Sequence, residues 1–138
     1  FVRRHLGDPD TGSRLPEYDR FSAYLNFDNG SGRIRGIYLQ GNTGARPIFE
    51  SLLAPWADLG ANHVTIAATG STDHISFVAV GLPGFQFIQD PLDYDSRVHH
   101  SHLDTADYLV EEDLKQSAAV MASVVYHLAM RDSLVPRH

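Results

Sequence analysis

The first clear pattern along the chain is an alternation. Between residues 21 and 28, Phe21, Ala23, Leu25 and Phe27 fall on one side and Ser22, Tyr24, Asn26 and Asp28 on the other. A period of two predicts a strand with one face in the core. The cluster Asn29-Gly30-Ser31-Gly32 ends it as a turn. Residues 34–39 predict a second short strand. Residues 46–59 change to helical spacing, with Ile48, Leu52, Trp56 and Leu59 on one stripe. Pro47 suits the first turn of that helix and Gly60 its end, whereas Pro55 predicts a kink or a split.

Residues 63–68 predict another strand, and Ser71 or Thr72 a cap for a short helix over residues 73–80. Gly81-Leu82-Pro83-Gly84 is a tight connection into an aromatic strand that ends at Gln89-Asp90. The strongest helix spans residues 111–131, with Leu114, Ala118, Met121, Val125 and Leu128 as its apolar face and Glu111, Glu112 and Asp113 at its positive end. Strands and helices alternate throughout, which predicts an α/β fold: a three-layer domain with a mixed central sheet covered by helices. Residues 1–20 are charged and rich in turn formers and are expected to be a lead-in loop or the end of a preceding element, with the domain proper over residues 21–138. The start at Phe1 and this turn-rich opening lead to the expectation of an incomplete chain.

Composition narrows the partners. The 138 residues amount to one domain, 43% apolar and 20% charged, as in ordinary soluble folds. A net charge of −6 without a basic stripe argues against nucleic acid as a partner. No apolar run approaches the roughly 20 residues of a membrane-spanning helix. The chain has no cysteine, so any bound metal is held by nitrogen and oxygen.

The candidate chemistry lies in Arg97-Val98-His99-His100-Ser101-His102-Leu103-Asp104-Thr105, where three of the eight histidines fall close together ahead of a carboxylate. Neutral imidazole is the commonest protein ligand of transition metals, so the stretch reads either as a metal site or as a solvated histidine-rich loop. Asp28 sits at the carboxyl end of a strand, where open α/β sheets place ligands, but it also suits a turn with Asn29-Gly30. Asp73 follows another apolar run. His74 and His127 read as packed or surface side chains.

Taken in order, three segments resemble the C-terminal half of the di-zinc exopeptidases of the aminopeptidase Y and glutamate carboxypeptidase family. They are a strand ending in Asp (Tyr24-Leu25-Asn26-Phe27-Asp28), a Thr72-Asp73-His74-Ile75-Ser76-Phe77 segment followed by Gly81-Leu82-Pro83, and His100-Ser101-His102-Leu103-Asp104-Thr105 leading into a long helix. The resemblance implies a zinc-exopeptidase-like fold and hydrolysis of a peptide substrate by water activated between two zinc ions. It implies that Asp28 and His100 are metal ligands, one for each zinc. His99 would be a catalytic group bonding the carbonyl oxygen as it becomes tetrahedral, although tyrosine is frequent at that position. Asp73 would contact substrate or support a ligand, and Asp104 would orient the loop or His100. The family's earlier His, bridging Asp and consecutive Glu pair are not found before Asp28, and Glu111-Glu112 falls on the wrong side of the motifs. The chain is therefore expected to be inactive alone and to need the missing N-terminal half of the same domain. Family resemblance also implies a secreted or periplasmic location. The alternatives are a non-catalytic binding module on the same fold and a glutaminyl cyclase-like enzyme with one zinc.

Overall fold

The computed structural model describes residues 1–70 and 72–137. Its centre is a four-stranded mixed sheet in the order β3-β6-β4-β5, built from β3 (Tyr24–Asn26), β4 (Ile34–Tyr38), β5 (His63–Thr65) and β6 (Gly84–Gln89). β3 runs parallel to β6, β4 parallel to β5, and β4 antiparallel to β6. The alternation expected over residues 21–28 holds from Ala23 onward, whereas Phe21 joins Tyr24 and Phe77 in the cluster on the other face. Ala23, Leu25 and Phe27 pack into the larger core, while Asn26 points to the opposite face and meets Gln86.

Helices α2 (Arg46–Leu53) and α4 (Glu111–Ala129) cover one face of the sheet through Phe49, Leu53, Val120 and Val124. The other face carries α3 (His74–Val78) and the N-terminal residues, joined through Val2, Leu6, Tyr18, Phe77 and Leu82. This is the layered α/β arrangement expected from the sequence. Pro55 splits its helix as anticipated: α2 ends at Leu53 and a 3₁₀ segment runs over Ala54–Leu59. Gly60 closes it in the left-handed region, at φ 78°. The first twenty residues contain a short helix α1 (Val2–His5), a hairpin of β1 (Gly7–Asp8) with β2 (Ser13–Arg14), and a 3₁₀ turn that buries Tyr18.

The face that α4 turns inward is not the expected one. Leu114 and Val125 are 40% and 48% exposed, Ala118 is also exposed, and Met121 is half-buried. The buried positions are Asp113, Gln116, Ser117, Val120, Val124 and Leu128. The reason lies at the start of β4, where a bulge between Ile34 and Gly36 shifts the register with β6 and β5 has not yet begun. Ile34 is fully buried there, and α4 supplies its partners: Gln116 Oε1 accepts from the Ile34 N–H at 2.9 Å and Gln116 Nε2 donates to the Ile34 carbonyl at 2.9 Å. Beside this pair, Arg33 donates to the buried Asp113 carboxylate at 2.6 and 2.8 Å. Satisfying buried backbone outranks the apolar stripe in setting the helix's rotation.

Replacing Gln116 with Leu leaves the Ile34 carbonyl without its amide donor and strips one acceptor from the N–H. We expect a loss of about 2 kcal/mol in denaturant unfolding. A variant within a few tenths of wild type shows that the amide does not hold α4 to the sheet.

Candidate functional site

Parallel pairing of β3 with β6 puts the carboxyl ends of both strands side by side. Asp28 lies just past the end of β3, and the turn after it is tied to β6 by one side chain. Gln89 Oε1 accepts from the Asn29 N–H at 3.2 Å, and Gln89 Nε2 donates to the Gly30 carbonyl at 2.8 Å. The segment after β6 forms a single π-turn over Tyr94–Val98, in which the His99 N–H reaches back to the Tyr94 carbonyl at 2.9 Å. Such turns are rare and concentrate at functional sites. His100 follows in the left-handed region at φ 56°, a conformation that costs a residue with a Cβ on the order of 1–3 kcal/mol. The Ser101 hydroxyl holds the loop beyond, donating to the Arg97 carbonyl at 2.6 Å and accepting from the Leu103 N–H at 3.1 Å.

The two segments enclose a cleft of about 520 Å³ lined by Asp28, Asn29, Gly70, Tyr94, Asp95, His99, His100 and Asp104. Four of the five residues singled out from the sequence therefore meet here. The fifth, Asp73, precedes α3 and lines a separate, larger groove floored by Phe21, Tyr24 and Phe77. Its neighbour Thr72 reaches the site instead. The helix cap proposed at Ser71 falls outside the described residues, and the Thr72 hydroxyl is not a cap: it donates to Asp28 Oδ2 at 2.6 Å. The direction of that bond is fixed, because Asn26 Nδ2 donates to the Thr72 oxygen at 2.8 Å and leaves the hydroxyl proton for the carboxylate. Asn26 is buried against Gln86 and also accepts from the Tyr24 hydroxyl at 3.2 Å. A chain of hydrogen bonds thus runs from the sheet interior to Asp28.

Tyr94 was missed from the sequence, as was Asp95. The Tyr94 hydroxyl donates to the Asp28 carbonyl at 3.1 Å, and its ring stacks on His99 with centroids 4.7 Å apart. His99 in turn lies against His100 at 3.9 Å. Burial, followed by the nearby charges of Asp28, Asp95 and Asp104, pushes the Tyr94 phenol above its ordinary value. The signal available in the sequence was the acidic, tyrosine-bearing run Asp93-Tyr94-Asp95 just ahead of the histidines. Asp104 lines the cleft, but among the described residues its carboxylate makes no hydrogen bond to His100. No three His, Asp or Glu side chains of the described residues converge on one point that could hold a metal ion. Nor is any described helix long and apolar enough to cross a membrane.

His74 is fully buried, as a packed residue should be, with Nε2 at 3.1 Å from the Thr69 carbonyl. A carbonyl only accepts, so Nε2 carries the proton. Burial lowers the pKa of this ring below its usual value, which keeps it neutral.

A site of two converging loops at parallel strand ends, with carboxylates and imidazoles facing one opening, belongs to the α/β class that binds its ligands at the carboxyl edge of the sheet. The chain is a member of Peptidase family M28, whose family model matches residues 9–125. It is 30% identical over 117 residues to carboxypeptidase Q of Bos taurus, covering 85% of this chain and 24% of that protein, and 29% identical to carboxypeptidase Q of Homo sapiens over the same shares. Its fold matches a solved zinc aminopeptidase from Bacillus subtilis with a TM-score of 0.60 at 20% identity, covering 88% of this chain and 32% of the other. The chain spans about a quarter of the length of the curated relatives it matches.

Because the folded state holds His74 neutral while the unfolded chain binds its proton with a pKa of about 6.5, the unfolded state takes up more protons on acidification. The contribution of His74 is fully present above that pH and is lost as pH falls through it. Unfolding free energy measured between pH 8 and pH 5 should decline towards acid, and His74→Gln should flatten that part of the slope. An unchanged slope in the variant assigns the decline to other groups.

Proposed function

We propose that this chain forms part of a zinc-dependent exopeptidase site, with Asp28 and His100 as the ligands it contributes, one to each of two zinc ions. The observation that carries the reading is the meeting of these two residues, far apart in sequence, on one cleft. The donor set suits the metal: a carboxylate and an imidazole, with no thiolate in the chain. Asp28 is gripped at its backbone carbonyl by Tyr94 and at Oδ2 by Thr72, the support that ligating carboxylates commonly have. Asp95 and Asp104 add negative charge at the opening, which favours a cation. When bound, the metal pair supplies an activated water and an electrophile for the scissile carbonyl.

The chain's own residues then have distinct tasks. Asp28 and His100 hold their positions on preset loops. His99, stacked on Tyr94, presents a ring nitrogen to the substrate carbonyl oxygen. The general base and the remaining ligands lie elsewhere in the full-length protein, since Glu111 and Glu112 begin α4 and do not line the cleft. Whether the substrate end recognised is amino or carboxyl depends on the groups that hold the free substrate terminus. An exported location is part of the same reading and rests on family likeness alone.

In the full-length protein, Asp28→Ala or His100→Ala should lower kcat/KM at least about 1000-fold, roughly 4 kcal/mol of transition-state stabilisation, and reduce bound zinc. The 138-residue chain with added zinc should show no turnover. Full-length protein that binds no zinc and cleaves no peptide favours the binding-module alternative, and turnover by the chain alone refutes the shared site.

The missing part of the domain would complete the sheet at one edge. Of the two outer strands, β5 has one carbonyl, that of Val64, taken by the Arg46 guanidinium at 3.3 Å. β3 is open, and a groove of about 340 Å³ runs beside it between Ser22, Ala23, Leu25 and the Val125, Leu128 and Ala129 flank of α4. The same flank carries the unburied Leu114, Ala118 and Val125, on the side of the helix away from Ser123, which bonds Trp56. The rest of the catalytic domain is the occupant proposed here, adding a strand to β3 and apolar side chains to α4. In the full-length protein Val125→Asp should lower the thermal midpoint by several degrees, while Ala119→Asp on the opposite flank should not. Equal tolerance of both leaves the flank in solvent.

A further inference from the structure

Residues 66–70, after β5, are irregular, yet they form one wall of the cleft through Gly70; Thr72, ahead of α3, bonds Asp28 through its hydroxyl. What fixes this wall is a double grip on the backbone of one residue, at its N–H and at its carbonyl. The Thr69 N–H donates to Gln40 Oε1 at 3.1 Å, and the Thr69 carbonyl accepts from His74 Nε2 at 3.1 Å. Both gripping side chains are buried, His74 completely and Gln40 to 7% exposure, and they come from different elements. Gln40 follows β4, and His74 opens α3. The backbone around Gln40 adds to the hold, its own N–H donating to the Ala67 carbonyl at 3.3 Å and the Gly41 N–H to the Ile66 carbonyl at 2.9 Å.

Two features set this apart from ordinary loop anchoring. Gln40 sits in the left-handed region at φ 54°, which a residue with a Cβ adopts only when its surroundings require it. The bond from His74 to Thr69 closes a short loop in sequence, and Thr72 lies inside that loop. Any slackening of the grip on Thr69 is therefore passed to the residue that orients the Asp28 carboxylate.

We propose that Gln40 and His74 are positioning residues for the metal-binding carboxylate, acting through Thr69, Gly70 and Thr72 without touching metal or substrate. This deepens the proposed function and rests on the assignment of Asp28 as a ligand. Partners that orient a ligand typically change metal affinity 10–100-fold when lost. Gln40→Met keeps the side chain's length and removes its acceptor; His74→Leu removes the donor; His74→Gln restores an N–H within reach of the Thr69 carbonyl.

The test measures zinc affinity of the full-length protein by competition with a chelator, on variants whose circular dichroism matches wild type. Gln40→Met and His74→Leu should each weaken zinc binding about 10-fold, and His74→Gln should return most of the loss. Should His74→Leu fail to fold, Gln40→Met and His74→Gln carry the comparison. Asp28→Ala separates the positioning role from the ligand assignment. If it loses zinc while Gln40→Met and His74→Leu bind as tightly as wild type, the positioning role is overturned and the ligand assignment stands. If Asp28→Ala itself binds zinc like wild type, the ligand assignment falls and the positioning role with it.

Discussion

Everything at the cleft depends on the parallel pairing of β3 with β6. Two strands of the same direction side by side bring their carboxyl ends to one edge, so the turn after β3 and the loop after β6 must face each other. The pairing is reinforced away from the backbone by the buried amides of Asn26 and Gln86, which meet on the face opposite the main core. A buried amide left unpaired is costly, so this contact also specifies the register. A slip of one residue would turn Asn26 into the Phe85 and Phe87 side of the sheet and carry Asp28 away from the opening.

The cleft gathers carboxylates that repel one another. Asp28, Asp95 and Asp104 surround the Tyr94 phenol, on which His99 stacks, with His100 tilted against His99. In an open cleft water screens much of that repulsion, which is why such a surface persists in a folded chain. Excluding water strengthens every one of these interactions, and a bound cation then becomes the natural counter-charge.

Local rules carried much of the fold. Alternation found β3, Pro55 marked where α2 breaks and Gly60 where the 3₁₀ segment after it ends, and the turn residues around Gly30 and Gly81 bounded the strands. The misses share a cause, which is that the deciding partner was remote in sequence. The face of α4 was misjudged because Asp113, Gln116 and Ser117 answer to Arg33 and the backbone of Ile34, over eighty positions away in the case of Gln116. Thr72 looked like a helix cap because its true acceptor, Asp28, is 44 positions distant. At the cleft, Asp28, His99, His100 and Asp104 were legible from motif order. Tyr94 was not, since its contribution is a hydrogen bond to a backbone carbonyl, which the run Asp93-Tyr94-Asp95 flags only as a tyrosine among acids.

The π-turn over Tyr94–Val98 has a consequence for how this segment tolerates length changes. Its ring holds one residue more than an ordinary helical turn, so it stores a single surplus position directly ahead of His99 and His100. Removing one residue from it converts the turn to the commoner geometry at little local cost, yet rotates everything downstream by about 100° about the local axis. Both histidines would then leave the opening while the loop itself remained well formed. A one-residue deletion here would thus keep a regular local turn and still empty the cleft of its imidazoles.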